Sequence, residues 1–265
     1  MAAIPAIAFD GVDQRITNTT VVDYNSDYTL AFTCSDPQGL PHYGSCALAS
    51  LATSLPSPSH PDQISVQQQG TGPNANFRIV LTSSTPSRWV SAYTGWVVAS
   101  PGPWFVVMRR GHGGDVDNLN GRIYHGSTFS ETTATSISLG GRSAQATAAI
   151  GSTYSNTDHP EANFTGVKVW SRYLSDAELN IEKLFLRAQS RENIEGEWPL
   201  LGGTEGLVDI SSRGNDWTAV NSPTDGTETF NIAYAPQPLI IVEEASAPSS
   251  DTRPIFKMVQ VNMYN

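Results

Sequence analysis

The stretch Asn163–Lys183 reads NFTGVKVWSRYLSDAELNIEK and predicts a strand, a tight corner and the start of a helix. Val167, Val169 and Tyr173 alternate with polar residues, which is the two-residue period of a half-buried β-strand. A strand that buries one face needs neighbouring strands to form a sheet. We therefore expect the rest of the chain to supply that sheet around this stretch.

Ser175 and Glu178 mark the predicted start of the helix. They stand three residues apart, which is the spacing of a capping box, so each side chain can bind a backbone amide of the other residue. Beyond them, apolar residues recur at helical spacing and predict a stripe that packs on the sheet. The members of this stripe are Ala177, Ile181, Leu184, Phe185 and Ala188.

The composition favours a β-rich protein and excludes two kinds of partner. The 265 residues are 39% hydrophobic and 15% charged, which suits one large β-sandwich with polar loops. The formal net charge is -10 and lysines and arginines do not cluster, so we expect neither nucleic acid nor membrane as a partner. The first residues lack the basic segment of a signal peptide, so we expect synthesis in the cytoplasm.

The two cysteines, Cys34 and Cys46, are interpreted as thiols. Cys34 lies on the same face of its predicted strand as Tyr28, Leu30 and Phe32. A cysteine in such a position behaves as a small apolar residue, so a buried thiol is favoured over a disulfide.

Turn signals recur along the chain at the spacing of an all-β fold. Ile7–Ile16 predicts a strand interrupted at Asp10-Gly11, and residues 35–63 are rich in proline and serine, which predicts a long excursion from the sheet. Trp104–Arg110 is apolar on both faces, as expected near the middle of a layered sheet. The other candidate strands are Tyr28–Cys34, Ala47–Thr53, Gln63–Gln68, Asn76–Thr82, Trp89–Val98, Gly121–Ser127, Ser136–Leu139 and Thr147–Gly151.

Short motifs follow one another in the order of a known β-sandwich family. They are Phe9-Asp10-Gly11-Val12-Asp13, Trp104-Phe105-Val106-Val107, Ile123-Tyr124-His125-Gly126, Phe164-Thr165-Gly166, Val167-Lys168-Val169-Trp170, Trp198-Pro199-Leu200 and Asp209-Ile210-Ser211-Ser212-Arg213-Gly214-Asn215-Asp216. Together they span about Ile7 to Val220 and resemble the laminin-G-like, concanavalin-type lectin and glucanase family, in a bacteriophage virion version. The resemblance implies an all-β, concanavalin-type jelly-roll β-sandwich with one short α-helix.

The C-terminal part differs from the sandwich and predicts an extended arm. We expect a jelly-roll domain over residues 1–235 and a Pro/Ser-rich linker with a β-arm over residues 236–265. The segment Ile255–Tyr264, IFKMVQVNMY, can add a strand to a neighbouring chain or form the last strand of the same domain. The predicted subunit contacts are Ile255, Phe256, Met258, Val259, Val261 and Tyr264.

The sequence lacks the motifs of common hydrolytic sites. Glycoside hydrolases of the resembled fold carry their acids on one strand as E-x-D-x-x-E, and no stretch has this spacing. There is no G-x-S-x-G and no H-E-x-x-H, and two cysteines cannot form a four-thiolate zinc site. We therefore predict a protein that is not an enzyme and has no catalytic residues. A glycosidase would require distant carboxylates to converge in the fold.

One loop offers a candidate metal site. Asp115, Asp117 and Asn118 supply closely spaced oxygen atoms of the kind that calcium binds. The loop also lies between two predicted strands, where Asp, Asn and Gly form hairpin turns, and the turn is the favoured interpretation. No other cofactor is expected. By resemblance alone, alternative calcium ligands are Asp10, Asp13, Asp209 and Asp216.

Trp89, Tyr93 and Trp96 are candidate glycan-binding residues. Aromatic rings can stack on sugar rings, and these three flank prolines and serines near a predicted loop edge. Other tryptophans, Trp104 and Trp198 among them, match core positions of the resembled family and need no ligand.

The combination of a recognition-type fold, the lack of catalytic motifs and a terminal arm predicts a structural or interaction protein of a phage virion. A capsid decoration or a tail-associated position is expected, with other virion proteins or copies of itself in a homo-oligomer as partners. The alternative is a carbohydrate-binding adhesion module that binds a surface glycan, on the virion or in an extracellular location.

Overall fold

A computed structural model describes residues 3–23, 26–35, 45–52, 62–69, 76–85, 88–95, 97–98, 103–112, 117–125, 128–137, 145–151, 159–201, 204–211 and 213–229. These ranges contain sixteen strands and the helix α1 (Asp176–Glu182), with one 3-10 turn at Thr204–Leu207. The strands are β1 (Ala3–Asp10), β2 (Arg15–Asp23), β3 (Tyr28–Cys34), β4 (Ser45–Ala52), β5 (Asp62–Gln69), β6 (Asn76–Thr85), β7 (Arg88–Tyr93), β8 (Val97–Val98), β9 (Trp104–His112), β10 (Asp117–His125), β11 (Thr128–Ile137), β12 (Gln145–Ile150), β13 (Glu161–Trp170), β14 (Ile194–Trp198), β15 (Thr218–Val220) and β16 (Thr224–Thr229).

The strands form two antiparallel sheets. Sheet A has the order β11-β10-β9-β3-β13-β1-β16, and β14 also pairs with β13. Sheet B has the order β15-β2-β12-β4-β5-β6-β7, and β8 also pairs with β6. The expectation of a mostly β protein with one short helix is thus confirmed for the described ranges.

The main core lies between the two sheets. Phe9 and Phe32 of sheet A both pack on Phe164, with ring centroids 4.8 Å and 5.8 Å apart. Gly121 of β10 faces Leu81 of β6 so closely that a Cβ on the glycine would lie 2.6 Å from a Leu81 methyl carbon. Each fully buried large apolar side chain contributes about 1.5–3 kcal/mol, so this interface holds the sheets together.

A second, smaller core covers the outer face of sheet A. Phe105 and Val107 of β9 point into it, whereas Trp104, Val106 and Met108 belong to the main core. The prediction of a strand that is apolar on both faces is confirmed. The other members of the second core are Ala31, Tyr124, Trp170, Leu174, Leu179, Ala188 and Ile194.

The capping box at the start of α1 is confirmed. Ser175 Oγ accepts a hydrogen bond from the Glu178 amide at 3.3 Å, and Glu178 Oε2 accepts one from the Ser175 amide at 2.8 Å. These contacts satisfy two amides that a helix start leaves without an intrahelical partner. The sequence therefore located the helix start correctly.

The predicted apolar stripe of the helix is wrong at Ile181 and Leu184, although Ala188 beyond the helix is buried. Ile181 is 51% exposed and Leu184 is 48% exposed, whereas the buried residues of α1 are Leu179 and Glu182. The helix ends at Glu182 after only two turns, and the chain then continues irregularly. The prediction assumed a longer helix and therefore placed the buried face on the wrong side. The buried side carries Leu179 and Glu182, and Glu182 forms an ion pair with Lys168.

Other sequence-based bounds shift by a few residues. The interruption at Asp10-Gly11 is confirmed, because β1 ends at Asp10 and Gly11 has a φ of 76°. Trp89–Val98 divides into β7 and β8, and β11 replaces the predicted strand Ser136–Leu139. The predicted domain boundary at residue 235 and the arm Ile255–Tyr264 lie outside the described residues, so these remain predictions.

Both cysteines are buried thiols, as predicted. In the part of the chain that the structure describes, no helix is both long enough and apolar enough to span a membrane.

Candidate functional site

Tyr93 is one of two aromatic rings that stand half exposed at the edge where β11 of sheet A passes β6 and β7 of sheet B. Tyr93 is the last residue of β7, and its side chain is 51% exposed. The guanidinium carbon of Arg78 lies 4.8 Å from the Tyr93 ring centroid, and Arg78 Nε donates to Gln67 Oε1 at 2.8 Å. The arginine is thereby held against the ring, which gives Tyr93 a defined orientation.

Phe129 is the second exposed ring of this edge. It lies on β11 and is also 51% exposed. The guanidinium carbon of Arg122, a buried side chain, lies 4.4 Å from its centroid, and the Tyr124 ring packs at 5.5 Å. An apolar ring on the surface that is fixed by two neighbours is a preformed platform for a ligand with a flat apolar face.

A small cleft lies between the two sheets near this edge. Its volume is ≈ 20 Å³, which is room for one or two water molecules. Arg78, which stacks on Tyr93, contributes to its lining, and so does Ser130, which lies on the face of β11 opposite to Phe129. The whole lining is Val66, Phe77, Arg78, Ile79, Trp104, Ile123, His125 and Ser130, and the surface it presents is apolar.

His125 is, with Arg78, a titratable group of the cleft lining. Its Nε2 lies 3.2 Å from Ser130 Oγ, and its Nδ1 lies 2.9 Å from Thr128 Oγ1. Burial lowers the pKa of His125 below its usual value and outweighs a hydrogen bond to its backbone that raises it. The imidazole is therefore neutral near neutral pH, and the cleft gains no positive charge from it.

Four charged residues form a closed cluster where α1 meets sheet A. Arg109 Nη2 donates to Asp176 Oδ1 at 2.6 Å. Arg122 Nη2 donates to Asp176 Oδ2 at 3.0 Å and to Glu131 Oε2 at 2.7 Å. The arginines come from β9 and β10, Glu131 from β11 and Asp176 from the helix, so the cluster fixes the helix on three strands.

Asp176 is an ionised carboxylate rather than a proton donor. Partial burial raises its pKa, but the hydrogen bonds from Arg109 and Arg122 outweigh this effect and hold the pKa below its usual value. A glycosidase needs one carboxyl group that stays protonated as the general acid. Although Asp176 and Glu131 meet at the same arginine nitrogen, Asp176 cannot serve as that acid.

Asp209 has a structural role within its loop. Its carboxylate accepts hydrogen bonds from the amides of Glu197, Ser211 and Asn215 at 3.0 Å, 2.8 Å and 3.1 Å. Asp216, the other residue of this loop that resemblance suggested for calcium, accepts from the Asp209 amide at 2.8 Å. Among the described residues, no group of three or more His, Cys, Asp or Glu side chains could hold a metal ion.

The structure describes part of each predicted site. Tyr93 is half exposed, the backbone of Trp89 belongs to β7, and Trp96 lies outside the described residues. Asp117 and Asn118 begin β10, and Asp115 lies outside the described residues. Both the glycan-binding and the calcium assignments therefore remain predictions.

Phe129 and the cleft were missed by the sequence analysis. Phe129 stands between serines and threonines, and nothing nearby in the sequence distinguishes it from a buried strand residue. The lining of the cleft comes from five strands, so no local pattern could identify it.

Comparison with known proteins finds the fold among phage tailspikes. No protein-family model matches the sequence, and no curated protein matches it. Full-length tailspike protein 2 from the Escherichia coli O157:H7 bacteriophage CAB120 is similar in structure with a TM-score of 0.51 and 9% identity. The match covers 75% of this chain and 28% of the tailspike chain, so this chain spans little more than a quarter of that protein.

A second similar structure is the enzymatically active domain of tailspike protein 2 from bacteriophage CBA120, with a TM-score of 0.43, 9% identity, and coverage of 61% of this chain and 25% of that chain. The fold match to the full-length tailspike contradicts the prediction that the protein is not an enzyme. The prediction relied on a missing motif within one strand, but Glu131 and Asp176 show that carboxylates from separate elements can meet without any motif.

Proposed function

We propose that this chain is a tail-associated phage protein that binds a glycan through the exposed rings of Tyr93 and Phe129. The fold shared with a tailspike chain supports the phage setting. The observation that carries the binding role is the pair of half-exposed rings, each stacked on an arginine. Exposed aromatic residues are common on protein surfaces, whereas a ring that an arginine holds in one orientation is a preformed platform for stacking.

Sugar chemistry matches this edge. A pyranose has an apolar face of C–H groups that can cover Tyr93 or Phe129. A single stacking contact of this kind gives weak binding, so several copies of the site would act together on a repeating glycan. A homo-oligomer within a virion supplies such copies.

The proposal extends to the architecture of the whole chain. Residues 1–235 form the concanavalin-type jelly roll, and the segment Ile255–Tyr264 adds a strand to a neighbouring copy or another virion protein. Deletion of residues 246–265 is expected to reduce the oligomer to a folded monomer in size-exclusion chromatography with light scattering. An unchanged oligomer would rule out the arm as the means of assembly.

Binding to a panel of bacterial surface glycans tests the recognition role. Tyr93→Ala and Phe129→Ala are each expected to weaken binding by about tenfold, because about 1.4 kcal/mol of stacking is lost. Ile181→Ala is the matched control, because Ile181 is equally exposed and lies on the helix. No bound glycan, or equal losses in all three variants, would overturn the proposal.

The same glycan also decides the enzymatic question. The protein is incubated with a glycan that it binds, and mass spectrometry follows the chain length of the sugar. Shortened products would identify a hydrolase of the class that the tailspike comparison suggests. In that case Asp176→Asn should retain activity, because Asp176 is bound by two arginines and is not the general acid.

A further inference from the structure

Tyr173 is a further exposed ring, and it lies on the same outer face of sheet A as Phe129. It stands in the corner before α1 and is 37% exposed. The guanidinium carbon of Arg109 lies 4.4 Å from its ring centroid, the same distance as between Arg122 and Phe129. The ring also covers Gly111, where a Cβ would lie 2.9 Å from a Tyr173 ring carbon. Each of the two exposed rings is thus held against the sheet by its own buried arginine.

The strand register gives the separation of the two rings. Phe129 pairs with Tyr124, which belongs to the second core on the outer face of sheet A. Arg109, beneath Tyr173, pairs with Asn120 of the same strand β10. Asn120 and Tyr124 are four residues apart in a strand, which is about 13 Å. One sugar stacked on the first ring therefore does not reach the second ring, whereas a chain of sugars does.

Two carboxylates lie between the rings. Asp176 bridges the arginines, because its two oxygens accept from Arg109 and Arg122 at 2.6 Å and 3.0 Å. Burial raises the pKa of the Tyr173 phenol against the attraction of the Arg109 charge. The charges of Asp176 and Glu131 raise this pKa as well, since both carboxylates lie close to the ring. The phenol is therefore neutral and adds a hydroxyl to this surface.

The exposed side of this charged cluster limits the chemistry of a ligand. The side chains of Asp176 and Glu131 are 61% and 31% exposed, whereas those of Arg109 and Arg122 are each 3% exposed. A ligand between the rings therefore meets carboxylate oxygens before it meets guanidinium groups. Carboxylate oxygens accept several hydrogen bonds each, so hydroxyl groups fit there and a negatively charged sugar is repelled.

We propose that the outer face of sheet A binds a neutral, linear oligosaccharide, with one sugar on Phe129, a later sugar on Tyr173, and hydroxyl groups between them donating to Asp176 and Glu131. This inference rests on the proposed glycan recognition and specifies the class of sugar and the second ring of the Phe129 site. Tyr93 belongs to sheet B and contacts a sugar separately.

The dependence of affinity on chain length tests the two-ring surface. Calorimetry measures binding of linear fragments of one to six sugars, prepared from the neutral members of the bacterial glycan panel. Affinity should rise about tenfold between a chain that covers one ring and a chain that covers both. Tyr173→Ala should abolish this rise, whereas Tyr173→Phe keeps the ring and should retain it. Ile181→Ala, an exposed residue of α1 outside this surface, is the control and should retain the rise.

The charge of Asp176 gives a second, independent readout. Oligogalacturonides of the same lengths serve as the anionic probe, and the neutral fragments are expected to bind more tightly. In Asp176→Asn the ratio of neutral to anionic affinity should fall about fivefold at low salt, because one repulsive charge at contact distance is removed. Added salt should reduce this change, since the carboxylate is exposed.

The outcomes separate this inference from the glycan proposal. A rise with chain length that persists in Tyr173→Ala overturns the two-ring surface and leaves recognition at Phe129 standing. Oligogalacturonides that bind more tightly than the neutral chains overturn the assignment of sugar class. Absence of any glycan binding overturns both proposals. Urea denaturation of each variant shows that it is folded, and Asp176→Asn keeps the test decisive even if Tyr173→Ala fails to fold.

Discussion

The helix-covered face of sheet A and the open edge at Tyr93 use buried polar groups in opposite ways. Under the helix, Lys168 Nζ donates to the Glu182 carboxylate at 2.9 Å and to the carbonyls of Glu182 and Phe185 at 3.0 Å and 2.6 Å. At the edge, Trp104 Nε1–H has no acceptor among the described residues. The Lys168–Glu182 network holds the helix on the sheet, whereas the exposed rings at the edge offer a surface to a ligand.

The second carboxylate oxygen of Glu182 also accepts hydrogen bonds. Its Oε1 accepts the amides of Gln189 and Ser190 at 2.9 Å and 2.6 Å. Burial lowers the pKa of Lys168 and outweighs the attraction of Glu182. The pair therefore tolerates burial only because every donor and acceptor of the contact has a partner.

The largest expected effect comes from breaking this buried pair. Lys168→Met leaves the Glu182 carboxylate buried without its cation, and we expect a loss of about 3–5 kcal/mol in the free energy of unfolding. Urea denaturation measures the loss. Lys183→Met is the matched control, because its ammonium lies 4.7 Å from the Tyr124 ring at a partly exposed position. Equal losses in both variants would show that the buried ion pair contributes no more to stability than a partly exposed lysine.

An intermediate effect is expected at the border between the two regions. Asp176 is bound by Arg109 and Arg122, but its side chain is 61% exposed. Asp176→Asn should therefore cost only about 1 kcal/mol of stability near neutral pH. Asp13→Asn, at an exposed turn, serves as the control and should change stability by less.

The pH dependence of that effect has a definite sign. Because the pKa of Asp176 is lower in the folded protein than in the unfolded chain, its contribution is present above about pH 4 and is lost as the pH falls through the lowered pKa. The stability difference between the wild type and Asp176→Asn should shrink on acidification. A difference that is constant with pH would show that the arginines do not act on the ionised carboxylate.

The smallest effect is expected on the outward face of the helix. Ile181→Ala should change the free energy of unfolding by less than about 0.5 kcal/mol, because the side chain is half exposed. Leu179→Ala, two positions earlier and fully buried, should cost about 2–5 kcal/mol. Thermal and urea unfolding of the pair check the helix orientation. The reverse order would restore the stripe that the sequence predicted.

Local signals in the sequence identified much of the fold. The spacing of Ser175 and Glu178 was enough for the helix start, because capping depends on residues three positions apart. The alternation around Trp104 and Phe105 was enough to assign the two faces of β9. The same reasoning failed at Ile181, since the buried face depends on where the short helix ends and on what it meets.

The candidate site was accessible to sequence reasoning only in part. Tyr93 was a candidate because it lies near prolines and serines at a predicted loop edge. Phe129 was not, because a phenylalanine in a strand is most often buried. Its exposure follows from the position of β11 at the end of sheet A, and this position depends on the strand order.

By itself, the sequence determined the β-rich class, the two-faced central strand and the capped helix start, since each depends on contacts within a few residues along the chain. Only the tertiary structure decided that Arg109, Arg122, Glu131 and Asp176 meet, and that Trp104 and Ser130 share one cleft. These contacts depend on strand register and sheet order, which are fixed by packing between residues far apart in the chain. Such packing leaves no local pattern in the sequence.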